Sequence, residues 1–225
     1  MAEELLWLPV TALAYVGALR LRDRVHSPLT NPTLVALLVL GVVVVAAGVD
    51  YDDYHDGTEA LTWLLGPAVV ALAVPVHRER ALILRHARAI GGGVVAGAVA
   101  AAALGWLASR VMSLPEAWSL AATSRSATSP MSIAIAEELP GGSPALSAAT
   151  SIIAGIAGGT FGPSLLDALG VRHPVARGLA HGVAAHGVGT ARMLEEGEAQ
   201  GAASTVGMGL GGLAVALVLP SLWGG

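Results

Sequence analysis

Arg125 stands among four hydroxyl residues, Ser124, Ser126, Thr128 and Ser129, in the stretch S-R-S-A-T-S-P-M-S-I-A-I-A-E-E-L-P-G-G that runs from Ser124 to Gly142. A guanidinium meets a carboxylate through two parallel hydrogen bonds, which makes Arg125 the candidate clamp for a small acid. Ser126, Thr128 and Ser129 are the candidates for holding a hydroxyl or keto oxygen of the same molecule. Thr128 or Ser129 can cap a helix with Pro130 at its first position, where a missing N–H does no harm. The N-terminus of such a helix is itself a place for an anion. The competing reading is an interfacial loop whose arginine reaches toward lipid headgroups.

Glu137 and Glu138 close the same short helix at the end where its dipole disfavours negative charge, so they either pair with arginines or face water. An ionisable group within a membrane is a functional candidate by default, and a glutamate that takes up a proton could couple transport to a proton gradient. Adjacent residues point about 100° apart on a helix, so one of the two faces a cavity, and Glu137 is the preferred one.

A second cluster runs from Arg177 to Arg192, R-G-L-A-H-G-V-A-A-H-G-V-G-T-A-R. His186 and Thr190 are four apart and share a helical face, where they could meet a substrate oxygen, and His186 is a further proton-coupling candidate. A structural hydrogen bond to a neighbouring helix is the alternative for His186. Gly178 and Gly182 form a small-xxx-small face that close helix packing explains without a ligand. His181 and His186 are five apart with no carboxylate at ligand spacing, so no metal site is expected. Glu195, Glu196 and Glu198 read as a solvated end. The glycines of residues 155–162 match no dinucleotide fingerprint, and no cofactor or nucleic-acid partner is expected. The chain has no cysteine and all twelve basic residues are arginine, which excludes thiol chemistry, a Walker A lysine and a Schiff base. No nucleophile with a base and an orienting partner is legible, so an enzyme is not expected.

The elements that must position these residues lie in an apolar chain: of its 225 residues 54% are hydrophobic and only 12% charged, and its mean hydropathy is +0.68. Residues 34–49, 61–76, 89–108 and 199–223 are long and uncharged enough to cross a hydrocarbon layer. They lack the alternation of a barrel, so helices are expected. Residues 5–19, preceded by Glu3 and Glu4, read as a retained helix and not as a cleaved signal. The arginines at 20, 22 and 24 and at 78, 80, 85 and 88 flank the acidic link Asp50 to Asp56, which places both arginine clusters in the cytoplasm and the N-terminus outside. Residues 113–120 read as a short interfacial piece. Residues 145–169 read as a span interrupted at Gly158-Gly159 and Gly162-Pro163. The expected fold is an all-α polytopic membrane protein of seven or eight passes, a single domain over residues 1–225 in the cell membrane.

An internal repeat organises it. Thr30-Asn31-Pro32 is matched 98 positions on by Thr128-Ser129-Pro130, and Gly66-Pro67 is matched 96 positions on by Gly162-Pro163. The two copies, residues 1–85 and 86–190, are expected to be inverted repeats with Gly/Pro-broken helices at Gly66, Pro67, Gly162 and Pro163, followed by a further helix at 199–222. Paired broken segments of this kind point to a transporter's central site, and Asn31 becomes the repeat-mate of the Arg125 cluster.

The words S-R-S-A-T-S-P-M-S-I-A-I-A-E-E with P-G-G, G-I-A-G-G-T-F-G-P, and A-R-G-L-A-H-G-V-A-A-H-G-V-G-T-A-R-M-L-E-E-G-E-A-Q-G-A resemble the LrgB/CidB family of bacterial membrane proteins, which in turn resembles the plastid glycolate/glycerate translocator. The resemblance covers residues 31–220 and is densest over 125–202. Arg125 stands where the family usually has lysine and Ser129 where it usually has threonine. His181, Val183 and Ala185 replace a leucine, a threonine and a serine around the shared His186. Two roles are implied: transport of small monocarboxylates such as glycolate, glycerate, pyruvate or lactate, and antiholin-like regulation of murein hydrolase activity beside a small LrgA-type membrane partner. A transporter needs the Arg125 pocket and a regulator needs only helix faces, so transport is the expectation. A homodimer is expected from the Gly/Ala packing faces.

Overall fold

The structure is a computed structural model and describes residues 4–25 and 27–223; the described residues are helical, with no strand among them. The chain divides into two compact units, Met1–Ala73 and Val74–Gly225. The repeat boundary expected at 85/86 falls within the second unit.

In the first unit α1 (Glu4–Arg24) packs on α2 (Pro32–Ala47) and on α3 (Tyr51–Gly57), which is followed by α4 (Glu59–Ala71). Tyr54 of α3 holds α1 through a 2.9 Å hydrogen bond with Thr11 and an edge-on contact with Trp7. Asn31 caps α2: its Oδ1 accepts from the amides of Thr33 at 3.0 Å and Leu34 at 3.3 Å, with Pro32 opening the helix. Asn31→Ala is expected to weaken that helix start by about 1 kcal/mol. Faster amide exchange at Thr33 and Leu34 than in the unmodified protein would register it, and unchanged exchange there would refute it.

The second unit contains the helices α5 (Ala73–Arg78, from its second residue), α6 (Arg80–Arg85), α7 (Ala87–Val111), α8 (Glu116–Ser124), α9 (Ser129–Glu138), α10 (Pro144–Ala168), α11 (Pro174–Glu196) and α12 (Glu198–Trp223). Among the described residues four segments are long and apolar enough to cross a membrane, Glu59–Arg78, Ala87–Val111, Pro144–Ala168 and Glu198–Leu219, with Pro32–Ala47 a shorter apolar helix. Large apolar side chains such as Val42, Val95, Leu104, Ile153 and Leu165 point outward. Water would penalise such a surface and a hydrocarbon layer does not. The chain is a multi-pass, all-α membrane protein.

Two apolar clusters lie inside this unit. One joins Ala98, Leu120, Ile135, Leu139, Val215 and Leu219 across α7, α8, α9 and α12, and the other joins Ile90, Val94, Val175, Val183 and Ala203. The close approach of the long helices rests on absent side chains. On α10 a Cβ at Gly155 or Gly162 would run into the ring of His186 or of His181, and a Cβ at Gly158 into Ala185. On α11 a Cβ at Gly178 or Gly182 would run into the backbone carbonyl of Gln200 or of Ser204 on α12. Glycines at three- and four-residue spacing thus seat side chains of α11 against the backbone of α10 and set α11 against α12 almost backbone to backbone.

The expected breaks at Gly66-Pro67 and Gly162-Pro163 are corrected here. The helices α4 and α10 run on through Pro67 and Pro163, and α10 is likewise continuous at Gly158-Gly159. A glycine before proline has no Cβ to meet the ring, and a helix among other helices tolerates the loss of one N–H. Interruptions occur elsewhere, between Ala71 and Ala73 and within α11 at His186, whose φ of 39° and ψ of −124° are not helical. At the first landmark of the repeat both segments open a helix, in different register: Asn31 caps α2 with Pro32 as its first residue, whereas Thr128 is the N-cap of α9, makes no side-chain cap bond, and leaves Pro130 as the second residue.

Candidate functional site

Residues 113–128 form a short helix and a tight connection: α8 ends at Ser124, Arg125 caps it, and α9 begins at Ser129. Two short helices therefore meet end to start at Arg125, in a unit where α7, α10 and α12 are long and apolar. Arg125 is half-buried. Its Nη1 donates to the carbonyls of Ala122, at 2.7 Å, and Ala101 on α7, at 2.9 Å. Gly105 gives it room, because a Cβ there would overlap both this guanidinium and the Ala122 carbonyl. Among the described residues no carboxylate lies within ion-pair distance of Arg125, and the N–H groups on Nε and Nη2 have no hydrogen-bond acceptor. Most of a rigid five-donor fork is thus left for something else.

Ser126 lies beside it, 4% exposed, with an Oγ that has no partner. A buried hydroxyl without a hydrogen bond is costly unless an occupant satisfies it. Thr128 is the N-cap residue of α9 but makes no side-chain cap bond, so the first amides of that helix are open to an anion. Thr128 and Ser129 are half-buried. Arg125, Ser126, Thr128 and Ser129 are brought together by chain continuity.

A chain of buried hydroxyls ties this connection to the long helices. Ser132 Oγ donates to the Ser124 carbonyl at 2.8 Å, and Ser151 Oγ on α10 donates to Ser132 Oγ at 2.7 Å. His186 Nε2 lies 2.8 Å from the Ser151 carbonyl. A carbonyl only accepts, so Nε2 carries the proton and donates. Thr150 adds a 3.0 Å bond to the Ala121 carbonyl. Each hydroxyl of the chain ends on a backbone carbonyl or the next hydroxyl, so the series positions α8 and α9 and is no proton wire. His186 sits where α11 is interrupted, buried, with its ring in the space that Gly155 leaves.

The other expected site residues fall elsewhere. Thr190 is fully buried and its hydroxyl is engaged by the His186 carbonyl at 2.8 Å and by Ser204 of α12 at 2.9 Å, a helix-joining role. Glu137 and Glu138 are both exposed, and no ion pair to an arginine is seen at either among the described residues. Asn31 belongs to the first unit, where its carboxamide oxygen is committed to the α2 cap. Glu196, read as part of a solvated end, is instead drawn in by Arg177, which is 8% exposed and bonds Glu196 at 3.0 Å, Asp167 at 2.7 Å and the Val171 carbonyl at 3.0 Å. Their separation along the chain left this ion cluster with no signal in the sequence.

The model of the LrgB-like family matches residues 11–224. A Bacillus subtilis protein described as uncharacterized protein YxaC is 33% identical over 201 residues, 89% of this chain and 87% of that protein. The holin-like protein CidB of Staphylococcus epidermidis is 29% identical over 220 residues, 98% of this chain and 96% of its own. An uncharacterized protein of Haemophilus influenzae is 32% identical over 214 residues, 94% of this chain and 91% of its own. No solved structure matches.

Proposed function

Given that this chain belongs to the LrgB-like family, we propose that it is a secondary carrier of small monocarboxylates of the glycolate, glycerate, pyruvate or lactate class, working in the cell membrane without a catalysed chemical step. The observation that carries the reading is the half-buried Arg125 guanidinium with no carboxylate partner among the described residues and donors to spare. A cation kept in such surroundings needs a counter-charge, and an arriving carboxylate supplies it through the planar fork. Ser126 Oγ, buried and unpartnered, provides for the cargo's second oxygen, and the uncapped start of α9 adds its dipole to the anion's binding. These groups match a cargo carrying one acid group and one hydroxyl or keto oxygen.

Purified protein in liposomes, given labelled glycolate, glycerate, pyruvate and lactate with and without a pH gradient, tests this. Uptake of at least one acid, competed by the others, is the expected result. If none of the four enters above protein-free vesicles, the carrier reading is lost.

The name of the CidB relatives, holin-like protein, favours one alternative: a regulator of cell lysis that acts with a small LrgA-type membrane protein. Under that alternative the chain co-purifies with such a partner and moves no acid. A homodimer through the glycine- and alanine-rich faces belongs to the carrier reading.

A further inference from the structure

His181 lies on the half of α11 before the break at His186 and is 3% exposed. Its Nδ1 is 3.0 Å from the Arg177 carbonyl. The carbonyl can only accept, so Nδ1 carries the hydrogen, and in the neutral ring Nε2 is then a bare lone pair. That Nε2 has no partner. It points at α10 where Gly162 leaves space, since a Cβ on Gly162 would lie 2.6 Å from it. The same turn of α10 is short of hydrogen bonds in two further ways. Pro163 has no N–H for the Gly159 carbonyl, and Thr160 Oγ1 is buried without a partner. A buried imidazole lone pair with nothing to accept from is costly, and it is also the one form of histidine that can take a proton without first breaking a hydrogen bond.

We propose that His181, through Nε2, is the group that takes up a proton during transport, in place of Glu137, Glu138 or His186. The inference rests on the carrier reading above. The other candidates fit the role less well. Glu137 and Glu138 are exposed. His186 uses its Nε2–H to tie α11 to the Ser151 carbonyl of α10, whereas His181 donates only within its own helix and turns a buried, unpartnered Nε2 toward α10. When Nε2 binds a proton the ring becomes a cation and keeps its Nδ1–H bond to Arg177. A monocarboxylate and this proton then cross together as a neutral pair. Burial opposes the positive ring most strongly, the Nδ1–H bond to the Arg177 carbonyl and the charge of Glu196 favour it, and the charges of Arg177 and Arg192 oppose it. Asp167 on α10 is held by Arg177. The residues that α7 and α12 set against this half of α11, Gly93, Gly97, Gln200, Ala203 and Ser204, are not ionisable, and His86, between α6 and α7, meets His173 at the start of α11 with ring centres 5.2 Å apart. Because His181 sits on the first half of α11 and His186 at the break, a charge gained at Nε2 acts on the segment that the Ser151–Ser132 chain ties to the Arg125 connection.

Two measurements decide it. In the first, nitrogen-15 histidine spectra of the protein in lipid nanodiscs are followed on acidification and assigned with H181N and H186N. The expected result is a His181 ring with Nδ1 protonated and Nε2 bare at neutral pH, gaining a proton at Nε2 as the pH falls. An Nε2 that carries hydrogen at neutral pH, or that never gains one, overturns the proposal. In the second, liposome uptake is compared with and without an inward proton gradient. H181N keeps a donor for the Arg177 carbonyl and lacks the second nitrogen. It is expected to lose the gradient stimulation while retaining exchange of labelled for unlabelled acid. A gradient response in H181N equal to the wild type, or wild-type uptake indifferent to the gradient, also overturns it. Should the wild type move no acid at all, the carrier reading fails, and the spectra still decide whether His181 is the proton acceptor.

Discussion

Arg125→Ala is expected to lower monocarboxylate uptake by roughly thirty- to a hundred-and-fiftyfold, the consequence of losing about 2–3 kcal/mol of binding at a half-buried charge. The lower part of the usual range for a broken charge pair applies because the guanidinium is half-buried and not fully enclosed. Two effects combine in the loss. The cargo loses its bidentate partner, and the Ala101 and Ala122 carbonyls lose the Nη1 that bridges them, which loosens α7 from the end of α8. Arg125→Lys separates the two. A lysine keeps the charge but has a point-like head, so it can serve a carbonyl or the cargo and cannot bridge both as the planar fork does. Its uptake should fall between the two, chiefly through a raised half-saturation concentration. Arg125→Ala protein that folds, reconstitutes and still moves acid within twofold of the wild type would remove this residue from the site.

Gly182→Val is the second large effect, and it bears on the fold. A Cβ at Gly182 would overlap the Ser204 carbonyl of α12 and lie 2.9 Å from the Met208 amide nitrogen. Neither is a flexible side chain that could step aside, so α11 and α12 must separate. The expected destabilisation is about 3 kcal/mol, the upper part of the range for overpacking a tight interior. The measurement is the fraction of protein that stays monodisperse in detergent on heating. Gly187→Ala is the matched control, because a Cβ there meets nothing within 4 Å. Equal heat tolerance in the two variants would show that the α11–α12 contact is looser than described here.

The residues that carry their own local signal were legible in the sequence. Apolar runs without charge gave the long helices, and Asn31-Pro32 and Ser129-Pro130 gave two helix starts because proline, with a cap bond at Asn31, acts within one turn. The Arg125 cluster was legible for the same reason: its members are adjacent, and no packing is needed to bring them together. What failed depended on neighbours. Gly162-Pro163 read as a break, yet the missing Cβ serves to seat the His181 ring from another helix. Thr190 read as a site residue on a shared face with His186, and its hydroxyl is taken up by Ser204. Arg177, Asp167 and Glu196 gave no hint of their ion pairs because they are ten and nineteen residues apart. The interruption at His186 was invisible because the local sequence A-H-G-V is compatible with continued helix.

The glycine seam between α10, α11 and α12 also limits how this unit can move. Where two helices touch through side chains, rotamer changes let one slide past the other in small steps. Here Gly155, Gly158, Gly162, Gly178 and Gly182 each face a particular ring, methyl or carbonyl, so a slip by one residue would set a bulky group against a spot that only hydrogen fits. The three helices therefore travel together as one lever, and any working cycle has to pivot at its margins, at the short helices around Arg125.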